Sequence, residues 1–404
     1  MAEYASTVDQ LPAVDLQSQE YLGNPYAVLG DLRARSPLAK SRRGIEVLSY
    51  RWNFELFPDR RFETPNVNDF IAKGAPPVFQ AFLGDGFLLG IHGERHDQIR
   101  RVVQKGFTIR RINDQRAVMQ RIAGEILEEF IDASRVDFVR QFTAEFPVRT
   151  LCHLLGVPSH DIQYFRDAAI TLHLMGAVPI APGFPKIEAG LKTLHDYVIK
   201  LVAARRQAPQ DDYISDLIAA EKTEGQLTET ELVWNIANLL FAGQDTTRYQ
   251  LASVVRSLVC EPGNHWEQLA NNTALIPLAI REGMRFYPAA QWNSRRALED
   301  VEFRGFRFNK GQWVFLNNIA ASRDPEAFSN PHVFDIGRSE RFDIPFGRGL
   351  HHCLGQILAR TGMEEALKVL TQGITKVEMA EIELAKSNSM IGGPEKLILT
   401  FQAR

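Results

Sequence analysis

Ten consecutive residues, Phe346-Gly347-Arg348-Gly349-Leu350-His351-His352-Cys353-Leu354-Gly355, constrain this chain more than any other stretch. Gly347 and Gly349 let the backbone turn sharply and lie close to a flat group, and Gly355 leaves room for a following helix to pack. Backbone N–H groups in such a turn, and at the start of a helix after Cys353, point at the sulfur and favour its anionic form. A metal-ligating cysteine must be such a thiolate, held still and screened. Tetrahedral zinc is a poor alternative, because adjacent His351, His352 and Cys353 cannot all turn to one ion without a distant partner. A phosphate-binding Gly-x-Gly-x-x-Gly needs glycine at 352, where histidine stands. A buried structural cysteine in a loop stays open at this point.

The 404 residues would ordinarily suggest two or three domains. A hydrophobic content of 45% and a charged content of 24% describe an ordinary globular chain with a sizeable core. The net charge of -3 gives no reason to expect nucleic acid or an anionic membrane as partner. Three cysteines, Cys152, Cys260 and Cys353, are too sparse for a disulfide framework, so a reducing cytoplasm is expected. The stretch from Met1 to Gln17 carries Glu3, Asp9 and Asp15 and no apolar core, which predicts neither a signal peptide nor an anchor. No run approaches the roughly 18 apolar residues of a spanning helix.

Along the chain, a helix over Tyr26 to Ala34 and a strand near Ile45 to Ser49 are predicted, followed by an irregular stretch with Pro65, Pro76 and Pro77. Ile122, Ile126 and Phe130 recur at helical spacing, and Leu151, Leu154 and Leu155 mark another core helix in which Cys152 is a small buried hydrophobe. Prolines 179, 182 and 185 forbid a continuous helix from Gly176 to Pro185, and a helix is predicted from Lys186 to Arg206. Thr228-Glu-Thr-Glu231 is a capping box opening one long buried helix, Leu232 to Val259. Inside it stands Ala242-Gly243-Gln244-Asp245-Thr246-Thr247. Glycine costs about 1 kcal/mol against alanine in a helix interior, and a buried carboxylate costs more, so a function is the reason to look for. Glu282 and Arg285, at i and i+3, share one helix face and can pair.

Together these motifs resemble the cytochrome P450 family. All six specified positions of its Phe-Gly-x-Gly-x-His-x-Cys-x-Gly signature match, as do Ala242-Gly243-x-Asp245-Thr246, the Glu282-x-x-Arg285 helix and the segments Ala321 to Pro325 and Phe334 to Arg338. The resemblance implies a mainly α fold with a smaller β-rich region, at about 1–65 and 297–320, in a single large domain, 1–404, around a buried haem. It implies haem b (iron protoporphyrin IX) ligated by Cys353, with Phe346 and Gly347 beside it and Ala242 and Gly243 across from it. His96, Arg100, Arg295 and His351 match positions that bind the propionates. Thr246 is implied to hydrogen-bond the reduced dioxygen and Asp245 to relay protons, while Glu282 and Arg285 form a structural pair. The substrate pocket is implied to draw on Phe82, Phe87, Leu174, Leu239, Ala242, Gln291, Trp292 and Met390, and so to take a small, largely apolar molecule.

The implied reaction is monooxygenation of the bacterial type. Electrons originate from NAD(P)H and arrive through a ferredoxin or flavodoxin with its reductase, because the stretch after Cys353 is too short for a fused flavin reductase. A monomer without a membrane anchor is expected, with a basic face of Arg100, Arg101, Lys105, Arg110, Arg111, Arg338, Arg341 and Arg348 for the donor. A peroxide-driven peroxygenase and a haem-binding sensor or carrier are the alternatives; intact Asp245 and Thr246 argue against both.

Overall fold

The computed structural model describes residues 7–224, 227–385 and 389–404; the start of the N-terminal stretch expected to be unanchored lies outside them. The chain forms two compact units: Met1–Pro65 with Tyr249–Cys353 and Val377–Leu399, and Asn66–Arg248 with Leu354–Lys376 and Thr400–Arg404.

The first unit is built on a five-stranded sheet in the order Leu38–Ser41, Gly44–Val47, Trp313–Asn317, Trp292–Ala297, Phe62–Glu63. Only Gly44–Val47 and Trp313–Asn317 run parallel. The β-rich region therefore begins at Trp292 in its second half, five residues before the predicted 297. In that strand Arg295 pairs with Val314 and Ser294 with Phe315. Side chains alternate along a strand, so Arg295 shares a face with Val314 and Leu316, while Trp292 lies on the other face with Phe315. Val314, Leu316, Ala297 and Phe57 belong to one apolar core that fixes this register.

A second organising element of this unit is polar. Glu282 and Arg285, on the helix Ile276–Phe286, are 3% and 1% exposed. Arg285 donates to the Glu282 carboxylate through Nε and Nη2, at 2.8 and 2.7 Å. Arg338, also buried, donates to the same carboxylate at 3.1 Å. The remaining guanidinium protons go to main-chain oxygens: Ser322, Pro331 and Val333 for Arg285, and Ser329, Asn330 and Val333 for Arg338. Arg338 was expected on a basic surface. Its place is inside, because two cations on one buried carboxylate need each other's carbonyl partners to be tolerable there.

The second unit is helical. Its long elements include Gly93–Val103, Arg116–Glu128, Phe146–Leu155, Phe184–Gln207, Glu229–Ala242 and Gln356–Gly373. Cys152 is buried as predicted, its thiol pushed up to about 12 by desolvation. Pro185 sits in the first turn of Phe184–Gln207, where a missing N–H does no harm, so that helix starts before the predicted Lys186. The capping box is present: Thr228 Oγ1 accepts from Glu231 N at 3.2 Å, and the Glu231 carboxylate accepts from Thr228 N at 2.7 Å. The single long helix predicted to follow is instead two, Glu229–Ala242 and Asp245–Cys260. At the break the Gln244 side chain donates to Leu240 O, and Thr246 Oγ1 donates to Ala242 O at 3.3 Å. Side chains thus compete for carbonyls that backbone N–H groups would otherwise take.

Removing Glu282 strands two buried guanidinium groups, so Glu282→Ala is expected to cost about 3–5 kcal/mol of stability. Arg51→Ala breaks an exposed pair with Glu55 at 3.3 Å and should cost no more than about 0.5 kcal/mol. Urea unfolding of the two variants checks this, and equal small losses would overturn the distinction.

Candidate active site

In the first unit the decapeptide folds as a closed loop. Gly347 and Gly349 have φ of 69° and 75°, the left-handed region that the glycines were expected to supply. A Cβ on Gly349 would lie 2.9 Å from Pro58 Cα, so sterics as well as φ require glycine there. Cys353 N donates to Phe346 O at 2.9 Å, which shuts the loop, and His352 N donates to Gly349 O at 3.1 Å. Cys353, His351, Phe346 and Gly347 are all half-buried. A Cβ built on Gly355 would meet no atom within 4 Å, so the glycine is not demanded by close protein packing and the loop leaves space at its helix-side end.

Arg295 is the second component. It is 5% exposed, and burial alone pulls its guanidinium down to about 10. Its Nη1 donates to Ser294 O at 2.9 Å, and no carboxylate among the described residues pairs with it. The guanidinium stands 5.2 Å from the Phe57 ring, and the same ring lies 3.6 Å from a Cβ built on Gly347. A buried cation without a counter-charge, on the ring that backs the cysteine loop, suits a ligand with anionic arms. The residues of this unit therefore fit a flat, carboxylate-bearing macrocycle.

Gln291 and Met390, two predicted pocket residues, are brought together: Gln291 N donates to Met390 O at 2.8 Å. Trp292 is not with them. Its ring packs edge-on against Phe315 at 5.2 Å and lies under the Arg43 guanidinium at 4.3 Å, on the face of the sheet opposite Arg295. Strand parity separates Trp292 from Gln291, and composition alone does not reveal parity.

In the second unit His96 and Arg100 lie one turn apart on Gly93–Val103, as predicted. His96 is fully buried; desolvation pushes its imidazole below the ordinary histidine range, while the Asp97 carboxylate, 3.0 Å from Nδ1, opposes this. Ala242, Gly243, Asp245 and Thr246 surround the helix break. A Cβ on Gly243 would fall 2.7 Å from Leu151 Cδ2, so glycine here permits close packing. Asp245 is 6% exposed, and burial pushes its carboxyl above the ordinary aspartate range, with Arg248 at 3.6 Å and His173 pulling the other way. Among the pocket residues of this unit, Phe82 and Leu239 are buried, Phe87 and Leu174 half-buried, and Phe82 lies 5.6 Å from Phe87 and 5.8 Å from Trp234, ring to ring.

Arg101, Lys105 and Arg110 are exposed on this unit, whereas Arg111 pairs with Asp216 at 2.6 Å. In the first unit Arg348 stacks on Phe54 at 3.3 Å and Arg341 is exposed. The predicted basic set is thus part solvated and part structural. Sequence reasoning missed Gln250, Asn318 and Arg338 as organising residues, although Arg338 closes a motif already noted. Among the described residues no three metal-ligating side chains cluster, and no helix is long and apolar enough to cross a membrane.

The first unit thus carries a glycine-turned cysteine loop and a buried arginine, and the second a helix broken at an acid and an alcohol. Comparison with known proteins agrees with the sequence resemblance. A family profile described as "Cytochrome P450" matches residues 264–373. The chain is 30% identical to cytochrome P450 CYP107DY1 of Priestia megaterium over 385 residues, 93% of each chain. It is 30% identical to luteothin monooxygenase of Streptomyces thioluteus over 401 residues, 97% of each. Among solved structures it resembles the myxobacterial cytochrome P450 CYP267B1 in complex with myristic acid, with a TM-score of 0.85 and 28% identity, covering 96% of this chain and 99% of that one. The chain belongs to the cytochrome P450 family, and it is an oxidoreductase of the monooxygenase class acting on small organic substrates.

Because Asp245 carries a folded-state pKa above its unfolded value, its ionisation works against folding: stability is fullest below the unfolded pKa and is lost as pH rises through the folded one. Asp245→Asn should therefore raise the thermal midpoint at pH 7, and the gain should shrink as pH falls toward the ordinary aspartate range. Thermal melts across that window test this. A gain that does not change with pH would mean that the carboxylate's burial is not felt.

Proposed function

We propose that this enzyme uses haem b, with the Cys353 thiolate as iron ligand, to insert one atom of dioxygen into an apolar small molecule, the other atom leaving as water. The observation that carries this assignment is the Cys353 loop, closed by its own main chain and backed by the ring that also carries Arg295. Bound haem supplies the electron transfer and O–O cleavage, which a thiolate ligand favours by pushing electron density onto iron. The protein's residues do the rest. Arg295, His351, His96 and Arg100 would hold the propionates. The Thr246 hydroxyl, bonded here to Ala242 O, would serve as a hydrogen-bond donor beside the haem, and Asp245 would resupply its proton. A carboxyl whose pKa burial has raised gives up and recovers a proton more readily near neutral pH than an exposed aspartate does.

Electrons come from NAD(P)H through a separate ferredoxin or flavodoxin with its reductase. The exposed Arg101, Lys105 and Arg110 suit an acidic donor, whose docking weakens with salt. Phe82, Phe87, Leu174 and Leu239 supply an apolar lining, and Gln291 supplies a polar group to orient a carbonyl or hydroxyl. Terpenoids, steroids, aromatic molecules and fatty acids all meet that description, and a spectral-shift screen of such compounds would choose among them.

Two substitutions test the roles. Cys353→His should abolish the red-shifted Soret band of the ferrous carbon monoxide complex; survival of the band would refute the ligand assignment. Thr246→Ala should keep oxygen and NAD(P)H consumption but divert it to hydrogen peroxide, lowering product per NAD(P)H several-fold. Unchanged coupling would remove Thr246 from proton management.

A further inference from the structure

Residues 289–291 lie between the helix Ile276–Phe286 and the strand Trp292–Ala297, where a chain leaving a helix would ordinarily be a loose connector. Here almost every main-chain group is tied. Ala289 N donates to Gln250 Oε1 at 3.0 Å, and Ala289 O accepts from Gly392 N at 2.9 Å. Ala290 O accepts from Asn318 Nδ2 at 2.9 Å. Gln291 N donates to Met390 O at 2.8 Å, and Gln291 O accepts from Asn318 N at 2.9 Å and Ile319 N at 3.3 Å. Two buried side chains therefore do for this segment what a neighbouring strand does for a sheet, with Gln250 7% and Asn318 0% exposed.

Gln250 has the more particular role. Its Nε2 donates to Tyr287 O at 3.2 Å while its Oε1 accepts from Ala289 N, so one amide spans the main chain on either side of Pro288, which has no N–H of its own. Only this orientation of the amide satisfies both partners, one an acceptor and one a donor. Gln250 stands one helical turn beyond Thr246 on Asp245–Cys260. It thus joins the helix Asp245–Cys260 to the segment bearing Gln291. Gln291 is itself confined: a Cβ on Gly392 would lie 2.2 Å from its Nε2.

We infer that Gln250 is a positioning residue for substrate selection, holding the 289–291 segment, and with it Gln291, in one conformation. This rests on the haem-thiolate reading above. A ligand bulky enough to reach Gln291 should feel the loss of Gln250, and a small one should not.

The experiment uses the holoenzyme and two readouts. Hydrogen exchange of the Ala289 and Gln291 amides should quicken at least tenfold in Gln250→Leu, which keeps the volume and removes both hydrogen bonds. In parallel, the ferric enzyme is titrated with imidazole and with 4-phenylimidazole. The ratio of their dissociation constants should shift at least fivefold in the variant, whereas a residue that only stabilised the fold would lower the unfolding midpoint and leave the ratio alone. Unchanged exchange overturns the anchoring. Faster exchange with a ratio unchanged within twofold overturns the role in selection. Should Gln250→Leu fail to fold, Gln250→Glu keeps the acceptor for Ala289 but sets an oxygen against Tyr287 O, and Gly392→Ala wedges Gln291 with Gln250 intact; both should shift the ratio, and no shift in either overturns the proposal. Failure of the haem-thiolate reading would show separately, as a wild-type carbon monoxide complex without the red-shifted band.

Discussion

The first unit depends on one carboxylate. Glu282 accepts from Arg285, from Arg338 and from the Asp335 main chain, all in the interior. Two cations on one anion leave a net positive charge buried, which would be intolerable if the guanidinium groups ended there. They do not. Six hydrogen bonds run on to the carbonyls of Ser322, Ser329, Asn330, Pro331 and Val333, in a stretch with almost no regular structure of its own. Carbonyls without a helix or sheet need donors from somewhere. The arginines are those donors, and the segment they order leads into the cysteine loop. A salt bridge that adds little in net energy can still decide where an irregular chain lies.

The helix break in the second unit follows a related logic in reverse. Glycine, glutamine, aspartate and threonine in succession weaken a helix that is otherwise apolar on nearly every side. Each departure has a local cause: Gly243 admits Leu151, Gln244 bonds Leu240 O, and Thr246 bonds Ala242 O. Asp245 alone gains little in stability from its position, since burial raises its pKa and Arg248 only partly compensates. A group kept where folding does not want it is the mark of chemistry rather than of packing.

What the sequence made legible were features whose physics is local. Gly347 and Gly349 could be read because left-handed φ is a property of single residues, and the Thr228–Glu231 capping box because its partners are three apart. Glu282 and Arg285 could be paired for the same reason. Arg338 could not, because its carboxylate lies 56 residues earlier in the chain and an isolated arginine reads as solvated. Trp292 was misplaced because which face a strand residue takes depends on register with Trp313–Asn317, and that register is set by a core drawn from distant segments. The continuous helix predicted from Leu232 to Val259 breaks at Gly243 because the side chains of Gln244 and Thr246 capture helix carbonyls, an effect that hydrophobicity does not register.

These cases share a cause that bears on how such an enzyme varies its substrate without losing its chemistry. The segment 322–333 that leads toward the cysteine loop is anchored through arginines to its backbone carbonyls, so many side chains in that stretch can change while the anchor persists. Residues 289–291 are held the same way, main chain to Gln250, Asn318, Met390 and Gly392. Anchoring by main chain leaves the side chains that project from the segment unconstrained by the anchor itself. Gln291 gives its main chain to these bonds, while its side chain answers to other neighbours, Gly392 among them. Selection for a new substrate can act on such positions independently of selection for a stable fold, provided that the few buried amides and guanidinium groups holding the backbone stay in place.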